Sequence, residues 1–549
     1  MSDISSARFN LIDEPWITAR YRDGTTRDVS IRTAFHDAGV IRDLSGELPT
    51  QSFAILRLLL AVVSRTLRNS AGSDPRALWE NGIPVDAIDA YLDAWHDRFW
   101  LLHPEKPVFQ VADLANAKGE MKDTAVLIFD LPSNNRLFTT RTGAESLALP
   151  FAEAARWLVN AQAFDPSGIK SGDPRDPRVK GGRGYPIGLA WAGHLGGITL
   201  EGDCLERTLL LNLVLPGDDV AGLNLDSDRD LPVWELDTLD TPLDREQRPR
   251  GPVQLFVWQS RRIRLVAEGD RITGCLVCNG DALTPQNQYA HETMTAWRFS
   301  DPQTKRAGKT TYMPREHRSE RAFWRGISAL LPQRRRQDKQ GRDISLPPAT
   351  IAALKNRRED GVIPPNERIG VRATGVIYGS NNSVVADVLD DRLTLASALF
   401  EESNSQLAGA AEEAVHLAEE GVRALRHLAH NLAIAAGGDG DGPANTSEAT
   451  AYDVFDRHYR DWVEQLDGTT DPVQALAQWR RTARDQLLRL GAELVATAGP
   501  AAWGGREITT RTGSMLVTTP LAESWFRRAL RTIFGDTTEE TSHTEEKTA

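Results

Sequence analysis

The sequence is poor in sulfur: its 549 residues include only three cysteines, Cys204, Cys275 and Cys278, and five methionines. Three thiols exclude a disulfide-stapled scaffold and fit a reducing, cytoplasmic compartment. Long hydrophobic runs are missing as well. The most apolar stretch, 52–67, is interrupted by Arg57 and Arg65 and is too short to span a bilayer, so no membrane association is expected. The opening MSDISSARFN has no basic segment followed by an apolar one, and no signal peptide is expected from it. An overall basic excess is lacking too. The formal net charge is −12, yet a nucleic-acid partner requires only a local basic surface. With 40% hydrophobic and 26% charged residues the chain can bury a sizeable core, and its length allows roughly two to four domains.

Signatures of catalysis are equally scarce. A phosphate-cradling P-loop needs a glycine before Lys-Ser, but Lys170-Ser171 follows Ile169, and no Gly-x-Ser-x-Gly elbow occurs. Two His-Asp pairs, His36-Asp37 and His96-Asp97, have the chemistry of phosphohydrolase or nuclease metal ligands. A metal site needs further ligands converging in space, so helix-end or surface residues are the simpler reading. His427 and His430 share a helix face without a clear third ligand. Cys275-Leu-Val-Cys278 has the spacing of half a zinc knuckle, and Asn279-Gly280 supplies a turn. No second such pair exists, so two small core residues in a hairpin outweigh zinc, and no metal or cofactor is expected.

Positive signals lie in the order of the segments. Residues 16–21 and 26–31 flank Asp23-Gly24 and predict a hairpin. Residues 50–68 predict a core helix with Thr50 as its N-cap, and 150–164 predict a second helix with Phe151, Ala155 and Leu158 near one face. Segment 164–186, FDPSGIKSGDPRDPRVKGGRGYP, is a long Gly-, Pro- and base-rich loop, and such loops in compact domains are usually functional or disordered. Residues 199–215 and 253–266 have strand-like composition. Span 298–342 holds thirteen Lys or Arg against four Asp or Glu, interleaved with Trp297, Tyr312, Phe323 and Trp324, which favours a nucleic-acid surface over a salt-bridged one. Tyr378-Gly-Ser-Asn-Asn-Ser383 predicts a tight turn.

After about residue 382 the pattern becomes helical. Residues 384–400 and 521–534 are expected to be helices. Leu407, Ala411, Val415, Ala418, Val422, Leu425, Ala429 and Leu432 form one stripe; Tyr452, Phe455, Tyr459, Trp462 and Leu466 form another. Asp471-Pro472 cap a third, with Leu476, Trp479, Ala483, Leu487, Leu490 and Leu494. Segment 437–443 is a connector, and the polar residues 536–549 are expected to be a disordered tail. The fold class is α+β: a mixed α/β domain over 1–380, then a helical bundle over 381–535.

In this order the segments resemble one family. The opening Phe9-Asn-Leu-Ile-Asp-Glu-Pro-Trp16 is similar to the start of the CasA family, the large subunits of type I-E CRISPR surveillance complexes (Cascade). Asn160-Ala-Gln-Ala-Phe164, Gly168-Ile-Lys-Ser-Gly172, Thr208-Leu-Leu-Leu-Asn-Leu213 and Trp324-Arg-Gly326 add to the likeness, which covers nearly the whole chain. The resemblance implies a large α/β N-terminal domain followed by a four-helix bundle. It also implies a non-catalytic role: recognising the protospacer-adjacent motif in double-stranded DNA through the minor groove, helping to open the duplex for R-loop formation, and helping to recruit the helicase-nuclease that cuts. Partners implied are the other Cascade subunits, the 5′ handle of the guide RNA and the target duplex.

The family's glycine loop maps onto 164–168, making Ser167 and Gly168, with Lys170 nearby, candidate DNA contacts. Its minor-groove lysine finger maps onto a hairpin around 298–309, leaving Arg298, Lys305, Arg306 and Lys309 as candidates. Its duplex-splitting wedge maps onto 378–383, with Asn381 and Asn382 in place of the usual glutamine. A guide-RNA or subunit contact maps onto 131–143, with Asn134, Asn135, Arg136, Phe138 and Arg141. Two other classes compete with this reading: a metal-dependent nuclease or phosphohydrolase using the His-Asp pairs, and a purely structural scaffold whose basic span meets an acidic protein.

Overall fold

The computed structural model describes residues 7–68, 73–129, 131, 139, 141, 147–225, 228–236, 249–331, 337–510 and 513–535. The chain divides into two compact units, one comprising Met1–Phe323 with Arg335–Leu393, the other Trp324–Arg334 with Thr394–Ala549. The division therefore falls after Leu393, and a short segment of the basic span belongs with the second unit. The tail 536–549 lies outside the described residues.

The first unit is built around the helix Pro49–Arg68, whose central turns are buried on every side. It begins at Pro49, one residue earlier than the capping role expected of Thr50 allows. By length and composition it could cross a membrane, but its apolar window is 94% buried inside the protein. The two arginines that interrupt it are paired rather than exposed. Arg57 donates to both carboxylate oxygens of Glu292 at 2.8 and 2.9 Å and to the Leu255 carbonyl at 3.0 Å. Glu292 also accepts from Trp191 Nε1 at 2.8 Å and from the Met294 N–H at 3.0 Å. Arg65 donates to Glu235 at 2.8 and 2.6 Å. A buried charge persists only when paired and hydrogen-bonded in this way.

Around this helix lie several small sheets. The expected hairpin is present as Ile17–Tyr21 paired with Thr26–Val29. The strands Arg261–Glu268 and Arg271–Asn279 pair antiparallel and support two short strands, Lys170–Ser171 and Arg183–Gly184, drawn from the long loop. Another sheet runs in the order Val385–Ala396, Arg368–Tyr378, Gly197–Glu201. Three expectations need correction. Residues 384–400 are not a helix: Val385–Ala396 is a strand followed by the 3-10 turn Ser397–Phe400. Its charged residues alternate toward partners across the sheet, Arg372 Nε donating to Asp390 at 2.6 Å, and this pairing outweighs local helix preference. The stretch 199–215 ends its strand at Glu201 and continues as the helix Leu205–Asn212, and 253–266 opens with the short helix Pro252–Phe256. Continuous apolar runs satisfy either state once buried, so their composition does not distinguish strand from helix.

In the second unit, Ser405–Ala435 packs against Asp441–Glu464, Pro472–Ala496 and Thr519–Phe534. Asp471 caps its helix as expected, its carboxylate accepting from the Val473 and Gln474 N–H groups. The stripe Leu407, Ala411, Val415, Ala418, Val422, Leu425, Ala429 and Leu432 is wholly buried. Tyr459, Trp462 and Trp479 form an aromatic nest with ring centroids 5.4–5.7 Å apart, and Trp324 stacks on Tyr459 at 4.6 Å. The nest's polar atoms are satisfied: Tyr459 Oη donates to the Ala411 carbonyl at 2.9 Å and Trp479 Nε1 to that of Ala414 at 2.8 Å. Arg325 lies over the Tyr452 ring at 3.7 Å and pairs with Glu419 at 3.0 Å. Trp324-Arg325 is thus a structural plug in the second unit's core.

Candidate nucleic-acid interface

The site begins where the helix Phe151–Phe164 ends. Asp165 takes the C-cap position, its N–H reaching the Ala161 carbonyl at 3.1 Å, and the chain turns outward. A buried ionic anchor holds that turn. The Asp165 carboxylate meets Arg261 Nε and Lys170 Nζ, each at 2.5 Å. Arg261 also donates to the Asp165 carbonyl at 3.1 Å, the Pro166 carbonyl at 3.1 Å and the Gly188 carbonyl at 3.0 Å. One guanidinium thereby ties down three carbonyls of an irregular backbone that no helix or sheet satisfies. Burial alone would raise the Asp165 carboxyl, but the two cations hold it below its usual range. His194 packs nearby, and burial, reinforced by Arg261, pushes its imidazole down to about 4.

Above this anchor two of the candidate segments meet. The Ser167 N–H donates to the Asn382 carbonyl at 2.8 Å, and Tyr378 Oη donates to the Phe164 carbonyl at 2.6 Å. Gly168 has φ +151°, with nothing within 4 Å of where a Cβ would stand, so its backbone faces open space. The turn after Tyr378 closes through Asn382 N–H to the Gly379 carbonyl and Gly379 N–H to the Val384 carbonyl, both at 2.9 Å. Asn381 and Asn382 adopt successive left-handed conformations, φ 55° and 56°, and are exposed. Asparagine tolerates this region better than most side chains do, which gives a conformational reason for Asn at these positions. Lys170 is placed differently from Ser167 and Gly168: its ammonium is consumed by Asp165 beneath the loop.

The cationic candidates occupy a separate excursion. Trp297–Phe299 pairs antiparallel with Tyr312–Pro314, and between them lies the helix Asp301–Ala307 rather than a simple hairpin loop. Arg298, Lys305, Arg306 and Lys309 are all exposed. Lys305 reaches Asp301 at 2.6 Å; Arg298, Arg306 and Lys309 have no ion-pair partner among the described residues. No hydrogen bond or ion pair joins this excursion to the Ser167 loop or the Asn381 turn among the described residues. Its aromatics are buried at the base: Trp297 packs in the core and Tyr312 donates to the Asp343 carbonyl at 2.9 Å. They anchor the scaffold and are not available for stacking on bases.

Of the guide-contact candidates, Asn134, Asn135, Arg136 and Phe138 lie outside the described residues, whereas Arg141 pairs with Glu153. The His-Asp pairs are dispersed: His36 meets Asp89 at 2.8 Å and His96 meets Asp13 at 2.7 Å. Among the described residues no group of three or more His, Cys, Asp or Glu converges as a metal site would require. Cys275 and Cys278 sit on one strand, buried in different apolar clusters, and burial pushes both thiols up to about 12. Zinc ligation needs thiolates converging on one point, whereas these two thiols pack in separate apolar surroundings. Sequence reasoning missed Arg261 and His194. The one available signal was the Arg261-Arg262 pair opening a strand that continues with Ile263 and Leu265.

The fold and these surfaces define an α+β protein in which small-residue loops and exposed cations, rather than a cluster of acids and bases, form the candidate site. Comparison with known proteins agrees on the fold. The family model described as CRISPR-associated protein Cse1 matches residues 10–490. The CRISPR-associated protein CasA/Cse1 of Thermus thermophilus is 30% identical over 450 residues, 80% of each chain. The crystal structure of Thermobifida fusca Cse1 superposes with a TM-score of 0.87 at 38% identity, covering 96% of this chain and 99% of that one. A chain of a solved CRISPR RNA-guided surveillance complex shares the fold, with a TM-score of 0.67 at 18% identity over 96% of this chain and 99% of that one. The chain belongs to the Cse1 (CasA) family.

Proposed function

We propose that this protein is a non-catalytic subunit of an intracellular guide-RNA surveillance complex and that it inspects double-stranded DNA for a short motif before guide pairing begins. One observation carries the reading: a hydrogen bond from the N–H of the buried Ser167 to the Asn382 carbonyl joins the small-residue loop to the exposed twin-asparagine turn. The family membership supports it, as does the likeness to a chain of a CRISPR RNA-guided surveillance complex.

In this reading the open side of the Gly168 backbone approaches the minor groove, where A·T pairs display only the A N3 and T O2 acceptors and G·C pairs add the G amino donor. Arg298, Lys305, Arg306 and Lys309 neutralise phosphates or reach those acceptors. The Asn381-Asn382 turn enters the base stack. Unpairing the first step costs on the order of a few kcal/mol, which these contacts offset locally. The heteroduplex that follows is nearly isoenergetic with the duplex it replaces, so the opening step decides the outcome. Arg141 and segment 131–143 meet the 5′ handle of the guide RNA or a neighbouring subunit, and cutting belongs to a recruited helicase-nuclease.

The test uses the complex reconstituted with guide RNA and motif-bearing or motif-lacking duplexes. Replacing Lys305, Arg306 and Lys309 with alanine weakens binding to both duplexes alike and lowers the slope of log affinity against log salt by about 1 per lost contact. Replacing Asn381 and Asn382 with alanine reduces duplex opening and motif discrimination instead. Equal affinity of the unaltered complex for both duplexes would sink the reading.

A further inference from the structure

The hairpin leaving the Ser167-Gly168 loop carries an apolar pair for which the fold has no use. Ile169 and Tyr185 are 57% and 53% exposed, the two most exposed large hydrophobic residues among those described in the first unit. The strand register sets Lys170 opposite Gly184 and Ser171 opposite Arg183, so Ile169 and Tyr185 are the next residues of the two strands at the same open end. The tyrosine's backbone is fixed, its carbonyl accepting from Asn279 Nδ2 at 2.6 Å. Ile169 is two residues from Ser167, which limits the separation of their Cα atoms to about 7 Å. The pair therefore lies beside the junction of Ser167 and Asn382.

The same hairpin carries uncompensated positive charge. At its closed end Gly181 and Gly182, φ 57° and 72°, let Lys180 and Arg183 exchange backbone hydrogen bonds at 3.1 Å. Both cationic side chains are exposed and have no ion-pair partner among the described residues. Their neighbours are neutralised: Arg175 pairs with Asp173 at 2.6 Å, Arg178 with Asp176 at 2.7 Å and Lys170 with Asp165 at 2.5 Å. An exposed ring beside an aliphatic side chain, with two cations on the same hairpin, is the chemistry that holds a single-stranded nucleotide: stacking for the base, charge for the phosphates.

We propose that Tyr185 and Ile169 form a platform on which a base of the target DNA, unpaired at the Asn381-Asn382 turn, stacks, while Lys180 and Arg183 hold the phosphates of that strand. The inference rests on the function proposed above and adds a capture step: the opened strand is kept from re-pairing. The test places a donor and an acceptor fluorophore on the two strands beside the motif, in the complete complex, so that energy transfer reports strand separation. Tyr185→Ala lowers the ratio of opened to closed duplex by about tenfold, within the range that base–aromatic stacking supplies, and Tyr185→Phe restores it. Binding to a motif-bearing duplex cross-linked against opening stays unchanged in both variants. A photoreactive phenylalanine analogue at position 185 cross-links to target DNA. Unchanged opening in Tyr185→Ala, loss in Tyr185→Phe, or cross-linking to guide RNA or another subunit would overturn the platform. Failure of the proposed function has a different signature, loss of motif dependence in the unaltered complex.

Discussion

The two units stabilise themselves by different means. The first contains short strands, short helices and long irregular connections, and it holds them with buried ion pairs: Arg57 with Glu292, Arg261 with Asp165, and Arg357 with Asp218 at 2.6 Å. The second is long helices packed on apolar stripes and an aromatic nest. A helix satisfies its own backbone, so its packing can be purely apolar; an irregular loop leaves carbonyls that only a side-chain donor can reach once buried. Irregular loops such as 164–168 lie where polar anchors are dense, because the same geometry that frees a loop from regular pairing creates the need for the anchor.

The largest effect expected from this contrast is at Arg57. Arg57→Ala strands the Glu292 carboxylate in the core and should destabilise the first unit by about 3–5 kcal/mol. Denaturant unfolding followed by tryptophan fluorescence would measure it; a loss below about 1 kcal/mol would break the contrast, since a surface pair costs no more. The second unit should respond to volume instead. A Cβ on Gly421 would run into Leu487 Cδ1 and the Phe534 ring, so Gly421→Ala should cost about 1–3 kcal/mol through overpacking, with little dependence on pH or salt.

The smallest effect is a pH dependence confined to the first unit. His194 has its folded-state pKa near 4, below the ordinary 6.5, so its share of stability is whole above about pH 6.5 and is lost as pH falls toward about 4. Between pH 7 and about 5.5 that loss amounts to about 1 kcal/mol. Asp165, also held below its usual range, has the same sign at lower pH: its contribution disappears as pH falls through the folded-state value. Melting curves at the two pH values should show a difference that His194→Asn diminishes. An identical pH response in the variant would remove the histidine from the account.

Local chemistry was legible wherever it acted alone. The Asp471-Pro472 cap, the stripe of the Ser405–Ala435 helix and the hairpin around Asp23-Gly24 could be read because each depends on residues within a few positions of one another. The strand Val385–Ala396 was not legible, since its pairing with Arg368–Tyr378 and the ion pair from Arg372 to Asp390 decide its state, and its composition alone is compatible with a helix. Nor was the role of Trp324: it sits in a basic span yet fills the second unit's core.

For the candidate site the sequence by itself determined which residue types are present: a glycine loop, twin asparagines and a cluster of cations. Only the tertiary structure decided that the loop and the asparagine turn, 215 positions apart between Ser167 and Asn382, share a hydrogen bond, that Lys170 is withdrawn beneath the loop, and that Arg261 anchors the loop's backbone. The physical reason is that a backbone donor has no sequence signature. Every residue but proline carries the same N–H, and which carbonyl it meets depends on the packing that brings distant segments within about 3 Å.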